Sequence, residues 1–372
     1  MTDDKRTPKI LYVAATARHL RRFHVPYIDA LGRDAKIFLM ADDGEEMPID
    51  FPIPFQKRMV SLQNLQNIFQ IRRILRRYCF DAVILNTTLA AFLVRAAMIG
   101  MRRRPYVCNI VHGFLFQIPF RGIRDRIFYI CERMMCKKTD SMAVMNAQDL
   151  WVAEHYPMSC GGVSFFYGMG ARLPKTPPDP DPVLRAKLAT KKELLLTFVG
   201  ELTEAKGQLF LVRACRILRD RGVPVRLLLL GDGMGRERLE KEIASLDMEN
   251  CVCLPGNCEG VMPYLSVTDI YVSASRKEGL PFNVLEAMSC QLPLLVSDIK
   301  GQRDLCADVP GTMFPLDDTE AFCRAIEKRY RGGTYGVGTV KYPSLERYRL
   351  SSVLQDNLRF MRKGILSNER TV

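Results

Sequence analysis

The feature that most constrains the fold is a regular alternation of short apolar runs with segments of helical periodicity. In the first half, strands are predicted at 9–16, 35–43, 80–88, 106–113 and 141–147, and helices at 19–32, 63–79, 89–101 and 122–138. Continuous apolar runs of this length are typical of parallel strands covered on both faces. The alternation therefore predicts an α/β domain built on a parallel sheet.

A second series of the same kind begins near residue 194. Its strands are predicted at 194–202, 225–233, 251–256, 269–275 and 292–301, and its helices at 206–221, 236–245, 260–266 and 281–290. Between the two series, the proline-rich segment 174–182 predicts an interdomain linker. We expect domains over 1–172 and 173–345, followed by a helical segment over 346–372.

Positive charge is concentrated in the first half. The 372-residue chain has a net charge of +13, and residues 1–150 contain 24 Lys and Arg against 14 Asp and Glu. Such a surplus predicts an anionic partner. The candidates are nucleic acid, anionic lipid and a lipid-linked diphosphate. Because the arginine clusters accompany no known nucleic-acid-binding motif, we predict a membrane surface and no nucleic acid.

One basic segment has two interpretations. In 66–80, apolar residues recur at helical spacing with arginines between them: Ile68, Ile71, Ile74, Leu75 and Tyr78. The pattern fits a helix lying in a membrane interface, and it fits equally a helix packed on a sheet with a solvated arginine face. The basic segment 121–138 also has an apolar face.

Metal ligands and membrane spans are not predicted. The twelve cysteines contain no C-x-x-C pair, and the four histidines have no metal-ligand spacing.

The apolar stretch 82–101 is interrupted by Asn86 and Arg95, which favours a buried strand followed by a buried helix. Since residues 1–9 lead directly into a strand, no signal peptide is expected, and the predicted location is cytoplasmic.

The strongest chemical signal is EGLPFNVLEAMSC at 278–290. Gly279 permits a tight turn and Pro281 suits the first helical position, so Glu278 precedes a helix that contains Glu286. The free N–H groups and the dipole of a helix N-terminus favour a diphosphate, and ionised carboxylates accept hydrogen bonds from hydroxyls. Taken alone, two glutamates at this spacing are more often a solvated loop residue and an exposed helix residue.

The run EGLPFNVLEAM, with the strand 292–301 that follows it, resembles the E-x7-E motif of the retaining family 4 glycosyltransferases. The resemblance implies the GT-B fold, in which two Rossmann-like domains with parallel sheets face a central cleft. A last helix, around 345–363, is then expected to cross back to the first domain. The implied reaction moves a sugar from a nucleotide sugar, expected to be a UDP-sugar, to a lipid-linked or saccharide acceptor.

This resemblance also implies roles for residues of the second half. Glu278 is expected to hold hydroxyls of the sugar and Glu286 the ribose, and Gly279, Leu280 and Pro281 are expected to bind the nucleotide sugar from the turn after Glu278. GELTEAKG, at 200–207, resembles the family's G-x-L-x-x-x-K-G, which makes Lys206 the cation that faces the diphosphate. Glu201 stands where an arginine is frequent, so one expected phosphate cation is missing.

Further parts of the chain resemble the same family less closely. GDGMG, at 231–235, matches a G-x-G turn, so Gly233 either lets the backbone approach the nucleotide or simply forms a tight turn. His112-Gly113 matches a His-Gly pair near the transferred sugar, so His112 is either a catalytic residue or a structural histidine. His24 lies in a segment like F-H-x-P-Y and either faces the cleft or packs inside. The family's phosphate-binding glycines are missing near Thr16 and Ala17.

The implied mechanism requires no resident cofactor and no metal. Asp179-Pro180-Asp181 is a literal D-x-D, but its place in the proline-rich segment makes the match accidental. Two rival functions stay open. One is a sugar-nucleotide 2-epimerase with the same two-domain architecture, and the other is a basic adaptor that binds a membrane or nucleic acid without catalysis.

Overall fold

The computed structural model describes residues 6–44, 47–56 and 61–366. These residues form two compact units. The first contains the described residues up to Gly170 together with those from Leu350, and the second is Ala171–Arg349. The proline-rich segment 174–182 lies within the second unit, because the Arg349 guanidinium donates to the carbonyls of Leu173 and Pro174.

The first unit is a seven-stranded parallel sheet with helices on both faces. Its strands are β1 Lys9–Val13, β2 Lys36–Ala41, β3 Phe51–Pro52, β4 Ala82–Asn86, β5 Tyr106–Val111, β6 Ser141–Val144 and β7 Val163–Phe165, in the spatial order β3-β2-β1-β4-β5-β6-β7. Its first helices are α1 Ala17–Phe23, α2 Val25–Leu31, α3 Leu62–Tyr78, α4 Thr88–Ala97, α5 Ile123–Met134 and α6 Ala147–His155.

The second unit has a six-stranded parallel sheet. Its strands are β8 Leu194–Val199, β9 Val225–Leu230, β10 Val252–Gly256, β11 Ile270–Ser273, β12 Leu294–Ser297 and β13 Met313–Phe314, in the spatial order β10-β9-β8-β11-β12-β13. Its helices are α7 Pro182–Leu188, α8 Gln208–Asp220, α9 Arg236–Ser245, α10 Met262–Leu265, α11 Phe282–Ser289, α12 Lys300–Cys306 and α13 Thr319–Gly332. Short 3₁₀ turns occur at Cys136–Lys138, Glu204–Lys206 and Pro343–Tyr348.

The last helix, α14 at Leu350–Leu366, belongs to the first unit. Leu358 and Met361 are buried in the same core as Tyr12. The Asn357 side-chain amide donates to the Tyr27 hydroxyl at 3.0 Å and to the Gly168 carbonyl at 2.9 Å. Apolar burial and a buried hydrogen-bond network therefore attach α14 to the first unit.

Both faces of the first sheet are covered, as the continuous apolar runs predict. Along β1, Ile10 and Tyr12 face one core, and Leu11 and Val13 face the other. Side chains of a strand alternate between faces, so a strand that is apolar at every position must be buried on both.

The helix predicted at 19–32 is instead two helices, α1 and α2, which meet at His24. Pro26 lies in the first turn of α2. A proline lacks the N–H that would continue the hydrogen bonds of α1, and its ring disfavours helical backbone just before it. The break removes His24 from the helical register and turns its ring inward.

The apolar face of α3 packs against the sheet, which decides between the two interpretations of 66–80. Ile71 and Leu75 are buried in the core of this unit, with Ile68, Ile74 and Tyr78 partly buried beside them. The interfacial interpretation of that face is therefore wrong. The exposed apolar side chains of α3 are Leu62, Leu65 and Phe69, nearer its start.

Helices α4 and α5 are joined by a buried ion pair. Arg95 is fully buried and donates two hydrogen bonds to Glu132, at 2.6 and 3.0 Å, while its Nε donates to the Ala91 carbonyl. The arginine that interrupts the apolar stretch 82–101 thus fixes α5 against α4. Over the described residues, no helix combines the length and apolar character needed to cross a bilayer.

Candidate functional site

The predicted site residues of the second half lie where the chain order of the sheet reverses. From β8 the chain proceeds outward through β9 and β10, and it then returns to the other side of β8 with β11. The loops that leave the carboxyl ends of β8 and β11 are therefore neighbours. In open parallel sheets, ligands bind beyond the strand ends at such a point.

The two loops are hydrogen-bonded to each other. The backbone N–H of Arg276 donates to the carbonyl of Ala205 at 2.8 Å. Gly207 has a φ of +71°, and a Cβ added there would lie 2.2 Å from the carbonyl oxygen of Ala274. A glycine is thus required at 207 both for the left-handed backbone and for the close contact of the loops.

This contact brings Lys206 and Glu278 together. Lys206 ends the 3₁₀ turn after β8, Glu278 follows β11, and Lys206 Nζ lies 2.6 Å from Glu278 Oε1. The Glu278 side chain is only 10% exposed, so the ion pair is partly shielded from solvent. An ammonium has three donors and a carboxylate two acceptor oxygens, so both groups keep capacity for a ligand.

Gly301 supports the loop that contains Glu278. It is the second residue of α12, and an added Cβ would lie 2.5 Å from the Glu278 carbonyl oxygen and 2.6 Å from that of Gly279. No side chain fits in that space without displacing the loop backbone. The absence of a side chain at Gly301 therefore permits residues 278–279 to pack against α12, a function that the sequence did not reveal.

Helix α11 begins directly after the turn formed by Gly279, Leu280 and Pro281, with Pro281 as its N-cap residue. Pro281 itself makes no capping hydrogen bond, and the side-chain carbonyl of Asn283 accepts one from the Val284 N–H at 3.0 Å. The Asn283 side-chain amide donates to the carbonyl of Val199, at the end of β8, at 2.5 Å. This bond anchors the N-terminus of α11 beside the loop that contains Lys206.

Glu286 is the fifth residue of α11 and is partly buried. Both predicted carboxylates influence one buried hydroxyl: burial, then the charge of Glu278 and, more weakly, that of Glu286, raise the pKa of Tyr271 well above its ordinary value. Both glutamates therefore lie within electrostatic range of Tyr271.

The glycine-rich turn after β9 packs against the protein's own backbone. An added Cβ would lie 2.1 Å from the Gly200 carbonyl oxygen at Gly231, and 2.6 Å from the Leu202 carbonyl oxygen at Gly233. The backbone N–H of Leu202 donates to the Asp232 carbonyl at 3.0 Å. These contacts account for the glycines structurally, and the predicted contact of Gly233 with a nucleotide stays a prediction.

His112 lies in the first unit, directly after β5, and it is not alone. Its ring centroid is 4.9 Å from that of His19 and 5.6 Å from that of His24. His24 is fully buried, with Nδ1 2.9 Å from the Tyr12 hydroxyl, so the packed interpretation of this histidine is correct. Sequence spacing gave no indication that three of the four histidines meet.

Burial keeps this histidine cluster uncharged. Desolvation lowers the pKa of His112 to about 3, and desolvation together with the charge of Arg22 lowers the pKa of His19 to about 4. Burial likewise lowers the pKa of His24 well below its ordinary value. Near neutral pH each ring therefore has one N–H and one lone pair.

A cavity of about 630 Å³ opens beside the start of α8, and its lining includes Thr203, Gln208, Arg276 and Asp317. Neither Lys206 nor Glu278 is among its lining residues. Arg276 pairs with Asp317 at 2.6 Å at this cavity.

Comparison with known proteins identifies the second unit. Residues 193–331 match the family described as "Glycosyl transferases group 1". This part of the chain is a group 1 glycosyltransferase domain. The match contains Lys206, Gly233, Glu278 and Glu286 and favours a transferase over the epimerase and adaptor alternatives.

Sequence similarity to known proteins extends over most of the chain. EpsD of Bacillus subtilis, whose name describes it as a glycosyltransferase, is 27% identical over 335 residues, which cover 87% of this chain and 88% of EpsD. An Escherichia coli enzyme named UDP-Gal:alpha-D-GlcNAc-diphosphoundecaprenol alpha-1,3-galactosyltransferase is 25% identical over 288 residues, with 74% and 73% covered.

The GT-B prediction is confirmed by solved structures. Anabaena HepE, solved with UDP and glucose, superposes with a TM-score of 0.73 over 95% of this chain and 99% of HepE, at 16% sequence identity. At that identity the likeness concerns the fold alone. It agrees with the two units of parallel sheet and flanking helices found here.

Proposed function

We propose that this protein is a retaining glycosyltransferase. It moves a sugar from a UDP-sugar to a lipid-linked or saccharide acceptor in the synthesis of a bacterial surface polysaccharide. The observation that supports the proposal most is the Lys206–Glu278 pair, which lies at the chain reversal of the group 1 domain beside the N-terminus of α11.

The donor is expected to bind around this pair. Lys206 directs its remaining N–H groups at the diphosphate, which also benefits from the dipole at the start of α11. The free oxygen of Glu278 accepts hydrogen bonds from sugar hydroxyls, and Glu286 accepts them from the ribose. Gly279, Leu280 and Pro281 form the turn that brings backbone N–H groups to the ligand.

The chemistry requires no side-chain nucleophile. The bond between the anomeric carbon and the diphosphate oxygen breaks, and the acceptor oxygen bonds to the same face of that carbon. The acceptor's proton passes to the departing diphosphate. The protein contributes orientation and electrostatic stabilisation of the leaving group, which Lys206 and the helix N-terminus provide without Mg²⁺ or Mn²⁺.

Residues of two other loops complete the proposal. His112 stands at the carboxyl end of β5 and, as a neutral imidazole, offers a hydrogen bond to the transferred sugar. Gly233 brings the turn after β9 next to Leu202 and is expected to contact the nucleotide. No resident cofactor is proposed, because the nucleotide sugar is itself the substrate.

The choice of donor and acceptor draws on the relatives. The E. coli relative is named for a UDP-Gal donor and a diphosphoundecaprenol-linked acceptor. Anabaena HepE was solved with UDP-glucose as well as with UDP. Other relatives are named for amylovoran and colanic acid biosynthesis. These names support a UDP-sugar, a lipid-diphosphate acceptor and a polysaccharide product.

A lipid-linked acceptor requires access to a membrane, and α5 has a suitable surface. Ile123, Ile127, Ile130 and Met134 follow one another at helical spacing, and each is more than half exposed. Glu132 lies on the opposite side of α5, where it pairs with Arg95. Because α5 buries Glu132 and exposes its isoleucines, its apolar stripe is available to contact the hydrocarbon of a membrane.

The charge around this stripe favours an anionic bilayer. Arg121, Arg124 and Arg126 are exposed next to it, and residues 1–150 have a surplus of ten positive charges. Each basic residue close to an anionic surface contributes about 1 kcal/mol of attraction. We therefore propose a cytoplasmic enzyme that binds reversibly to the inner face of the plasma membrane through the stripe of α5.

Incubation with labelled UDP-, GDP- and ADP-sugars and with lipid-diphosphate saccharides tests the proposal. Label is expected in the lipid fraction with a UDP-sugar. Isomerised donor without transfer would instead identify an epimerase. Neither product, together with retained binding to vesicles or nucleic acid, would identify an adaptor.

A further inference from the structure

We propose that His19, His24 and His112 form a binding site for a divalent transition-metal ion of the Zn²⁺ and Co²⁺ type. The three side chains come from separate parts of the first unit: α1, the break between α1 and α2, and the end of β5. One ring nitrogen of each lies within 4.8 Å of the other two.

The spacing requires only a small closure. Zinc binds imidazole nitrogen at about 2.0–2.1 Å, so the nitrogens of a tetrahedral site lie about 3.4 Å apart. Contraction from the present separation of at most 4.8 Å amounts to no more than about 1.4 Å, within the reach of side-chain torsions. The rings are already tilted or edge-on to one another, with His19 and His24 centroids 5.0 Å apart.

Buried nitrogen atoms without hydrogen-bond partners indicate that the histidine cluster is a binding site for a ligand. Nε2 of His19, of His24 and of His112 is buried, and none has a hydrogen-bond partner among the described residues. Leaving such an atom without a partner is destabilising, and three in one cluster are unusual for a native structure. A metal ion would satisfy all three lone pairs at once.

Tyr12 makes the kind of hydrogen bond to His24 that commonly orients a metal-binding histidine. The Tyr12 hydroxyl lies 2.9 Å from His24 Nδ1 and is itself buried. When the other ring nitrogen of a histidine is held by a hydrogen bond, the tautomer is fixed and Nε2 is left as the ligand. Tyr12 is therefore a positioning residue for His24.

The ligand set selects the class of ion. Three imidazoles without a carboxylate suit Zn²⁺, Co²⁺, Ni²⁺ or Cu²⁺, whereas Mg²⁺ and Ca²⁺ prefer oxygen. Three protein ligands leave a fourth position open for water or an exogenous group. Since His112 also has a role in the proposed transferase, an ion held here would withdraw it from the sugar and inhibit transfer.

Titration of the metal-free protein with Co²⁺ tests the site through the visible absorption of tetrahedral cobalt, independently of any activity. One equivalent is expected to bind, and the same equivalent should be displaced by Zn²⁺. His19→Ala is expected to weaken binding by at least about 10–100-fold, and Tyr12→Phe by about 10–100-fold, the range for loss of an outer-shell partner. His155→Ala, which removes the exposed fourth histidine, is the matched control.

Thermal denaturation establishes that each variant is folded, and His112→Gln replaces His19→Ala if that variant is not. Loss of cobalt absorption in the cluster variants with retention in His155→Ala supports the site. Absence of a cobalt spectrum in the wild type would overturn the proposal. Equal binding by His19→Ala and wild type would also overturn it, because the ion would then be bound elsewhere. Since the readout is metal binding, its failure is distinguishable from failure of the transferase proposal.

Discussion

Lys206 Nζ lies 2.6 Å from Glu278 Oε1, so the two principal donor-binding residues of the proposal are bonded to each other. The lysine follows β8 and the glutamate follows β11, the two strands between which the sheet reverses its order. Each group therefore holds the other in place before any ligand arrives. Substitution of either one is expected to disturb the partner as well.

Lys206→Ala is expected to weaken binding of UDP by about 1.5–3 kcal/mol, the range for charge-assisted hydrogen bonds. The loss arises because the diphosphate is deprived of its principal cation. Isothermal titration calorimetry measures it directly. Lys241→Ala is the matched control, since Lys241 also pairs with a glutamate at 2.6 Å but on the exposed face of α9. Equal affinity of Lys206→Ala and wild type would make Lys206 an ordinary surface residue.

Gly301→Ala is expected to reduce turnover about 10–100-fold and also to lower the folding stability, because the new Cβ would overlap two backbone carbonyls. The new Cβ would press on the carbonyls of Glu278 and Gly279 and displace the Glu278 carboxylate, and small misplacements of a reacting group have effects of this size. Steady-state kinetics and thermal denaturation measure the two quantities. Gly332→Ala, where an added Cβ has ordinary van der Waals neighbours, should leave both unchanged. Full turnover in Gly301→Ala would show that the position of the loop is not critical.

The sequence predicted most of the regular structure, because buried parallel strands have an unmistakable apolar pattern. Predicted helix 236–245 and α9 coincide, and most other predicted elements differ from the structure by a few residues at their ends. Short edge strands such as β3 and β13, of two residues each, were missed, since so few residues have no periodicity to detect. The break at His24 was also missed, although Pro26 was its visible signal.

The site was predictable where chemistry and local pattern coincide, and unpredictable where residues meet through the fold. Glu278 and Lys206 each stood in a recognisable motif, but their contact depends on the adjacency of β8 and β11. Gly301 had no motif of its own, and its function appears only when the carbonyls of 278 and 279 are placed beside it. The histidine cluster combines His19 and His24 with His112, which is 88 or more positions away in sequence, a relation that spacing rules do not detect.

The stripe of α5 is expected to govern membrane binding. Replacement of Ile127 and Ile130 by glutamate should lower the fraction of protein that floats with anionic vesicles about tenfold or more, because apolar burial is lost and repulsion is added. Val183→Glu, at an exposed apolar position of α7 in the second unit, is the control. Neutral vesicles and high salt should both reduce flotation of the wild type. Equal flotation of the stripe variant and the wild type would leave α5 without this role.

Transfer is expected to proceed in EDTA, since Lys206 and the start of α11 take the place of a divalent cation at the diphosphate. The initial rate should be unchanged, or higher where an inhibitory ion is removed from the histidine cluster. Rates measured before and after chelation, and again after addition of Mg²⁺ or Mn²⁺, decide the matter. A rate lost in EDTA and restored by either of these ions contradicts the metal-independent mechanism.

The most direct test of the account is the turnover of Glu278→Gln with the donor that supports transfer. The substitution keeps the size of the side chain but removes the charge that pairs with Lys206 and orients the donor sugar, so kcat should fall about 10²–10³-fold while the melting temperature is retained. Glu249→Gln, at an exposed position of the same unit, should retain wild-type turnover. A Glu278→Gln protein that transfers sugar within a few-fold of the wild-type rate would contradict the central claim that the Lys206–Glu278 pair forms the donor site.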